Sequence, residues 1–473
     1  MNESKLRKIF ISAVVIFIAF VGSFYFLAGE QLTSKDSAGN IAIVEANAIS
    51  EEIIKGVKVE QEFTCNIDMI EEIALVFTKQ YREASGKVKV EILDGSTVIY
   101  KDTLDATNIP EQHRIYLTID EPITGYSGKK LVLRITSDCI KNNGVYMMIC
   151  KDNSMNTFVN PGTIKQKGTI CFSVSGRDHI PLADYYFPIM GVLALILSAV
   201  LFKTYKDYQK GKNNLITLAI LAVERYYFLI SQLVSRDFKS KYKRSILGVL
   251  WSFLNPLLTM TVQFLVFSTI FRADTQSYPV YLLAGVICWN FFKETTDMCL
   301  LSISGNANLI NKVYIPKYIF PLARTISSSI NLGISLVPLI LVTLIMGVAI
   351  KPAALLIFYF LACLIVFSLG VGMFLAALMV FFRDIQFLWS VLSQILMYAT
   401  PIFYTAEIIP EQYKFVVRFN PLYHFLGNIR KCLMEGISPE PMAYIYCLIF
   451  AVVSLAFGAF VFKKTQDKFT LYL

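Results

Sequence analysis

Residues Arg236–Met260 read RDFKSKYKRSILGVLWSFLNPLLTM, a basic polar run that turns apolar at Ser245 and stays apolar to Phe271. Ile246–Phe271 would make about 39 Å of helix at ~1.5 Å per residue, enough to cross a ~30 Å hydrocarbon core with some tilt. Lys241, Lys243 and Arg244 stand just before the apolar entry. Basic residues at that position place the end in the cytoplasm. Asn255-Pro256 falls inside the span, where a missing backbone donor bends a helix. Taken alone, the stretch reads as one membrane helix with a basic flank.

Upstream, the chain alternates in character. Lys5, Arg7 and Lys8 precede an apolar run from Ile9 to Ala28. It is longer than a usual signal h-region and no A-x-A site follows, so residues 1–28 read as an uncleaved anchor rather than a signal peptide. Residues 29–182 hold short stretches rich in Val, Ile, Tyr and Phe, parted by turn formers such as Asp94-Gly95, Ser127-Gly128 and Asn143-Gly144. This rhythm predicts an all-β sandwich or jelly roll. Residues 183–203 are apolar again and run into KTYKDYQKGK, which returns the chain to the cytoplasm and places the β-domain outside it. Residues 204–245 are a basic cytoplasmic linker. Within it, Leu215–Val234 is apolar enough to pass for a span, but Glu224 and Arg225 sit at its centre, so it reads as an amphipathic helix in the interface.

Downstream, residues 246–473 predict six helices. The second, about Pro279–Ser302, carries Asn290, Lys293, Glu294 and Asp297 in its inner half. Ionisable residues in a span face a bundle interior or an aqueous path, or pair locally to hold helices together. The third and fourth run about Pro321–Gly347 and Ala353–Phe382, with Gly370 and Gly372 offering close packing. The fifth ends near Thr400, residues 401–441 lie outside, and Tyr444–Phe462 is the last span. The fold class is thus an α-helical integral membrane protein of eight spans, two plus six, with both termini cytoplasmic and an extracytoplasmic β-domain.

The order of residues carries more than hydropathy. Arg-Asp-Phe-Lys at 236–239, Tyr242-Lys-Arg, Leu247-Gly248, Trp251 and Pro256-Leu257, then NKVYIP at 311–316, then PIFY at 401–404, Asn420-Pro421 and Arg430, follow one another as in a known family. This region, about residues 215–473, closely resembles type-2 ABC exporter permeases of the polysaccharide, O-antigen and teichoic-acid class. The resemblance implies a homodimer working with two copies of a separate ABC ATPase, and a path for a lipid-linked glycan polymer between the two halves. It assigns the amphipathic helix as the gate helix, and the substrate path to Tyr227, Arg236, Asp237, Trp251, Phe253, Trp289, Tyr398, Phe403 and Tyr404. It assigns ATPase coupling to Asn308, Asn311, Lys312, Tyr314 and Pro316. The first two hundred residues fall outside the resemblance.

Composition bounds the alternatives. Charged residues are 17% of the chain and hydrophobic ones 55%, against ~25% charged in soluble domains. The net charge of +9 comes largely from Lys and Arg beside apolar spans, where they set topology and touch anionic lipid, so nucleic acid is excluded as a partner. There is no P-loop motif, so no ATP site is expected here; ATP and Mg would sit on the partner ATPase. His113, His179 and His424 are far apart and no C-x-x-C occurs, so no metal or catalytic site is expected. Four cysteines, Cys65, Cys139, Cys150 and Cys171, lie in the β-region with three possible pairings or none. Two other readings are a membrane-embedded glycan-modifying enzyme or glycosyltransferase with an external carbohydrate-binding domain, and an anchored sensor or adhesin. The first needs a convergent catalytic set that does not appear; the second needs no six further spans. The β-domain reads equally as a glycan-binding module or a structural cap.

The topology is open to direct measurement. Single cysteines at Ser96 and Ser277 are expected to label from outside intact cells, and ones at Asn213 and Ser304 to stay unlabelled. External labelling at Ser304 would overturn the eight-span order.

Overall fold

The computed structural model describes residues 3–28, 32–38, 48–80, 82–111, 113–150, 157–159, 165–167, 169–180, 184–212, 214–243, 245–271, 277–313, 315–405 and 408–472. It divides into a helical unit, Met1–Leu32 with Tyr185–Leu473, and a second unit, Thr33–Asp184.

The second unit is built of two antiparallel sheets. Its strands are β1 (Ser34–Ala38), β2 (Ala48–Ile49), β3 (Lys58–Thr64), β4 (Met69–Thr78), β5 (Lys87–Asp94), β6 (Thr97–Asp105), β7 (Arg114–Thr124), β8 (Lys130–Ser137), β9 (Tyr146–Cys150), β10 (Thr157–Val159), β11 (Lys165–Lys167), β12 (Thr169–Ile170) and β13 (Phe172–His179). One sheet runs β1-β13-β4-β9-β12, with β2 on β9 and β7 on β4; the other runs β11-β10-β3-β8-β5-β6. Alternation decides which side chains go inward. Val59 and Phe63, Val88, Val90 and Ile92, and Leu131, Leu133 and Ile135 from one sheet share a core with Ile73, Leu75 and Phe77, Met147 and Ile149, and Phe172 and Val174 from the other. The Asp94-Gly95 signal closes the β5–β6 hairpin, where Asp94 faces Thr97 and Gly95 takes φ +60°. All nine cysteines of the chain are buried, and none forms a disulfide among the described residues. Burial pushes the Cys171 thiol up to about 11, which leaves little thiolate at neutral pH.

The helical unit contains α1 (Glu3–Ala28), α2 (Tyr186–Gln209), α3 (Leu215–Tyr242), α4 (Leu250–Phe271), α5 (Tyr278–Leu300), α6 (Ala307–Ile310), α7 (Ile319–Ile345), α8 (Ile357–Phe381), α9 (Ile385–Ala399), α10 (Lys414–Arg418), α11 (Pro421–Arg430), α12 (Pro441–Thr465) and α13 (Phe469–Tyr472). Six of them, among the described residues, are long and apolar enough to cross a membrane: α1, α2, α4, α7, α8 with the turn before it, and α12. The helix α5 is the spine. Val280, Leu282, Leu283, Val286, Ile287, Phe291 and Phe292 on it are all buried in one core with α7, α8, α11 and α12. The helix α4 begins at Leu250, four residues later than its apolar run, because Ser245 Oγ accepts from the Gly248 backbone N–H (3.0 Å) and Gly248 takes φ +49°.

Two glycines of α8 face different neighbours. A Cβ on Gly372 would lie 2.7 Å from Cys299 Cβ on α5. A Cβ on Gly458 of α12 would lie 2.0 Å from the Gly370 carbonyl oxygen, and one on Gly370 would lie 2.4 Å from the Ser454 backbone carbon. The α8 and α12 backbones therefore touch, as small residues in membrane helices allow, and Ser454 Oγ donates to the Phe367 carbonyl there (3.0 Å). Gly458→Ala is expected to destabilise by about 1–3 kcal/mol through overpacking. It should lower the Tm of the detergent-solubilised protein, whereas Gly427→Ala, where no atom lies within 4 Å of the added Cβ, should not.

Candidate functional site: a charged pocket and a carbonyl clamp at the two ends of α5

Polar residues gather at the end of α5 that carries Glu294 and Asp297. The facing helix α3 starts with Asn214, whose side chain caps Thr217 N–H (3.2 Å) while Thr217 Oγ1 accepts from Asn214 N–H (2.9 Å). One side of α3 is apolar: Leu233 is buried with Ile303, Ile310 of α6, Ile319, Phe320, Phe462 and Phe469. The other side is charged. Asp237, only 5% exposed in its side chain, accepts at Oδ1 from Arg324 Nη1 of α7 (2.8 Å) and pairs with the adjacent Arg236 (3.3 Å). Arg236 Nη1 also donates to Asn306 Oδ1 (3.2 Å), and Asn306 Nδ2 donates to the Ser302 carbonyl (2.8 Å), in the turn that leads into α6. Further along, Lys241 Nζ pairs with Glu294 Oε1 (2.7 Å), which also accepts from Asn331 Nδ2 (2.8 Å). Lys293 and Asp297 pair within α5 (2.6 Å).

Arg236, Asp237, Lys241, Glu294, Asn306, Arg324 and Asn331 line an open cavity of about 480 Å³. Its wall holds three cations, Arg236, Lys241 and Arg324, against two carboxylates, Asp237 and Glu294, which leaves one positive charge in excess. Asp237 Oδ2 is buried and has no hydrogen-bond partner among the described residues. The arrangement can hold an anion while it ties α3 to α5, to α7 and to the turn before α6.

At the opposite end of α5 a non-helical segment, Pro401–Tyr404, has its carbonyls bound by side chains. Arg430 of α11 donates from Nη1 to the Pro401 carbonyl (2.7 Å), and from Nη2 to the carbonyls of Ile402 (2.9 Å) and Tyr281 (3.1 Å). Tyr278 and Tyr281 hydroxyls donate to the carbonyls of Phe403 and Tyr404, each at 2.7 Å. Asn420 caps α11 at Leu422 N–H (3.0 Å) and donates to Thr400 Oγ1 (2.8 Å), with Pro421 in the first helical position. This clamp gives PIFY, Asn420-Pro421 and Arg430 a shared structural reason.

The residues expected along a path separate into groups. Arg236 and Asp237 meet in the pocket. Tyr398, Phe403 and Tyr404 come together beside the clamp, with Tyr404 Oη donating to the Tyr398 carbonyl (2.7 Å) and Phe403 stacked on Phe267. Trp289 is buried in the α5 core, Phe253 is half-buried, and Tyr227, Trp251 and Tyr398 are exposed. Of the coupling set, Asn308, Asn311 and Lys312 are exposed and Pro316 is half-buried; Tyr314 lies outside the described residues. Sequence reasoning did not single out Asn306 or Arg324, and Asn331 was legible only as a polar residue inside the third helix. The only signal for Arg324 was a charge one turn inside an apolar helix.

With this geometry in place, the comparisons define the class. Residues 229–434, from the middle of α3 to the turn after α11, match the family model for the ABC-2 type transporter. Over those residues the helical unit is similar to ABC-2 type transporter membrane domains. The chain is 26% identical over 245 residues to an O-antigen export system permease protein RfbA of Klebsiella pneumoniae, covering 51% of this chain and 93% of that protein. It is 28% identical over 251 residues to RfbA of Myxococcus xanthus (52% and 95%) and 24% identical over 244 residues to the polysialic acid transport protein KpsM of Escherichia coli (50% and 93%). The helix pair α1–α2 and the Thr33–Asp184 unit lie outside the family match.

Removing the buried Asp237 carboxylate leaves the half-buried Arg324 without its ion-pair partner. Asp237→Ala is expected to cost about 3 kcal/mol, read as a lower Tm in detergent, with Asp237→Asn milder because it keeps an acceptor in place. The pair Asp237→Leu with Arg324→Met should recover part of the loss, since Arg236 is half-exposed and reaches solvent.

Proposed function

We propose that the chain is the membrane subunit of an ABC exporter that moves a lipid-linked cell-surface polysaccharide, or a teichoic-acid-like polymer, out of the cytoplasm. A separate ATPase subunit, carrying ATP and Mg, supplies the work. The observation that carries this reading is the ionic network joining α3 to the turn before α6, inside the region similar to ABC-2 type transporters. The relatives are named for O-antigen export and polysialic acid transport, which supports a polymeric glycan as the cargo.

In this reading α3 is the gate helix and α6, with NKVYIP after it, rests on the ATPase. A push on α6 moves Asn306, Asn306 holds Arg236, and the gate follows. The pocket with its excess positive charge receives the phosphate end of the lipid carrier. Two copies form a homodimer with two ATPases, and the exposed rings of Tyr227, Trp251 and Tyr398 lie toward a path between the copies. The six long apolar helices together with α5 and α9 make eight spans, with both termini in the cytoplasm. The two sheets form an extracytoplasmic β-sandwich that recognises the polymer as it emerges. The rival, a membrane-embedded glycan-modifying enzyme, has no observation in its favour.

Asn308 and Lys312 are exposed, so changing them should leave the fold intact. Asn308→Lys and Lys312→Glu are expected to keep normal membrane levels while ATPase co-purification and surface polymer both fall several-fold. Full export by both variants would remove the coupling role from this segment.

A further inference from the structure

The helix pair α1–α2 is a feature of the helical unit that the ABC-2 match does not include. The two helices are held together near both ends. At one end Leu6, Phe10 and Leu201 are buried against each other, with Tyr205 and Tyr208 packed on them. At the other, Ala28, Leu32 and Tyr186 are buried together, and Tyr186 Oη donates to the Val21 carbonyl (2.9 Å). Beside the first of these clusters the helices leave an open groove of about 470 Å³. This is within the size range of ligand sites, roughly 300–1,000 Å³.

The lining of the groove is polarised along its length. Phe10, Ile11, Val14 and Val15 of α1 face Leu201 and Phe202 of α2, so most of the wall is apolar. Ser198 is the exception in the wall, and its hydroxyl is already spent on the Ala194 carbonyl (2.7 Å). Ile11, Val15 and Phe202 are each more than half exposed, so the groove opens sideways to whatever surrounds the helices. One end is different: Arg7 and Tyr205 close it, and Lys206 Nζ stands 4.8 Å from the Phe202 ring, bringing a second cation to the same end. A nearby carboxylate that would compete, Glu224 of α3, is taken by Lys5 (2.7 Å). Arg7 has no ion-pair or hydrogen-bond partner among the described residues.

An apolar slot that opens sideways and ends in an unpaired guanidinium matches one kind of molecule, an amphiphile with an acyl chain and an anionic head. We propose that the α1–α2 groove is a binding site for an anionic membrane phospholipid. Its acyl chain lies along Phe10, Val14 and Leu201, and its phosphate sits at Arg7 with Lys206 beside it. Basic residues at the cytoplasmic ends of membrane helices act in this way on anionic lipid. The site is independent of the exporter reading, because none of its residues belongs to the charged pocket, the clamp or the coupling segment.

The test uses the full chain, purified in detergent, delipidated and titrated with dioleoyl-phosphatidylglycerol, dioleoyl-phosphatidylcholine or a polyprenyl phosphate, with adducts counted by native mass spectrometry. The unaltered protein is expected to retain phosphatidylglycerol over phosphatidylcholine. Arg7→Gln should weaken phosphatidylglycerol retention about five-fold, the scale of one basic residue at an anionic surface. Val14→Trp, which fills the slot, should reduce retention of both phospholipids, while Lys464→Gln should change neither. Unchanged phosphatidylglycerol adducts in both Arg7→Gln and Val14→Trp would overturn the site. Displacement of phosphatidylglycerol by the polyprenyl phosphate at lower concentration would overturn the choice of occupant.

Discussion

The helix α5 is enclosed by neighbours along most of its length, and that enclosure constrains everything around it. A buried helix has no water to satisfy polar groups at its ends or on its side chains, and each unsatisfied group costs several kcal/mol in an apolar medium. The α5 sequence nevertheless carries a lysine, a glutamate and an aspartate at one end and two tyrosines at the other. Lys293 and Asp297 pair with each other, while Glu294 and the two tyrosines find partners on other elements. At one end Glu294 takes Lys241 of α3 and Asn331 of α7. At the other, Tyr278 and Tyr281 take carbonyls of the Pro401–Tyr404 segment. The polar stretches on either side of the apolar spans are thus complements to one helix.

The clamp shows why particular residue types are needed. Pro401–Tyr404 leaves helical geometry, so its carbonyls are orphaned by the fold. A lysine ammonium is a point charge, whereas the planar guanidinium of Arg430 carries five donors in a fixed fork and reaches carbonyls on two elements at once. Its guanidinium carbon also lies 3.4 Å from the centre of the Tyr281 ring, which faces a cation well suited to it. Room for the fork comes from Gly285: a Cβ there would stand 2.5 Å from Nη2. Arg430 acts as a single structural unit with Gly285, Tyr281 and Tyr278, which precede it by 145 to 152 positions.

Much of this was legible in the chain and some was not, for physical reasons. Hydropathy placed α7, α8 and α12 within a few residues, because a span must be apolar over its whole length. The longer strands β3 to β9 were visible through alternation, while β1, β2, β10 and β11 are too short or too polar to show a period. The start of α4 was misplaced because hydropathy cannot see a Ser245–Gly248 turn inside an apolar run. Of the charges on α5, Lys293 pairs with Asp297, as the local-pairing reading expected, and Glu294 pairs across helices with Lys241. Arg324 and Asn306 stayed invisible. They lie 87 and 70 positions from the α3 residues they bind, and only helix packing brings them there.

The two faces of α3 then bear on how this helix can move. Its apolar face shares a core with α6, α7, α12 and α13 through Leu233, Ile310, Phe320, Phe462 and Phe469. Its charged face is held by Arg324, Glu294 and Asn306. Sliding α3 alone would break a buried ion pair, at about 3–5 kcal/mol, as well as expose part of that core. Moving α3 together with α6 and the base of α7 keeps the Asp237–Arg324 pair and the part of that core formed by Leu233, Ile310 and Phe320. The lower-cost displacement is therefore a concerted one, in which the turn Ser304–Asn306 and the Asp237 network travel as a block. Such a block transmits force without any single residue acting as a switch, and the pocket between α3 and α5 is the part whose shape changes when it moves.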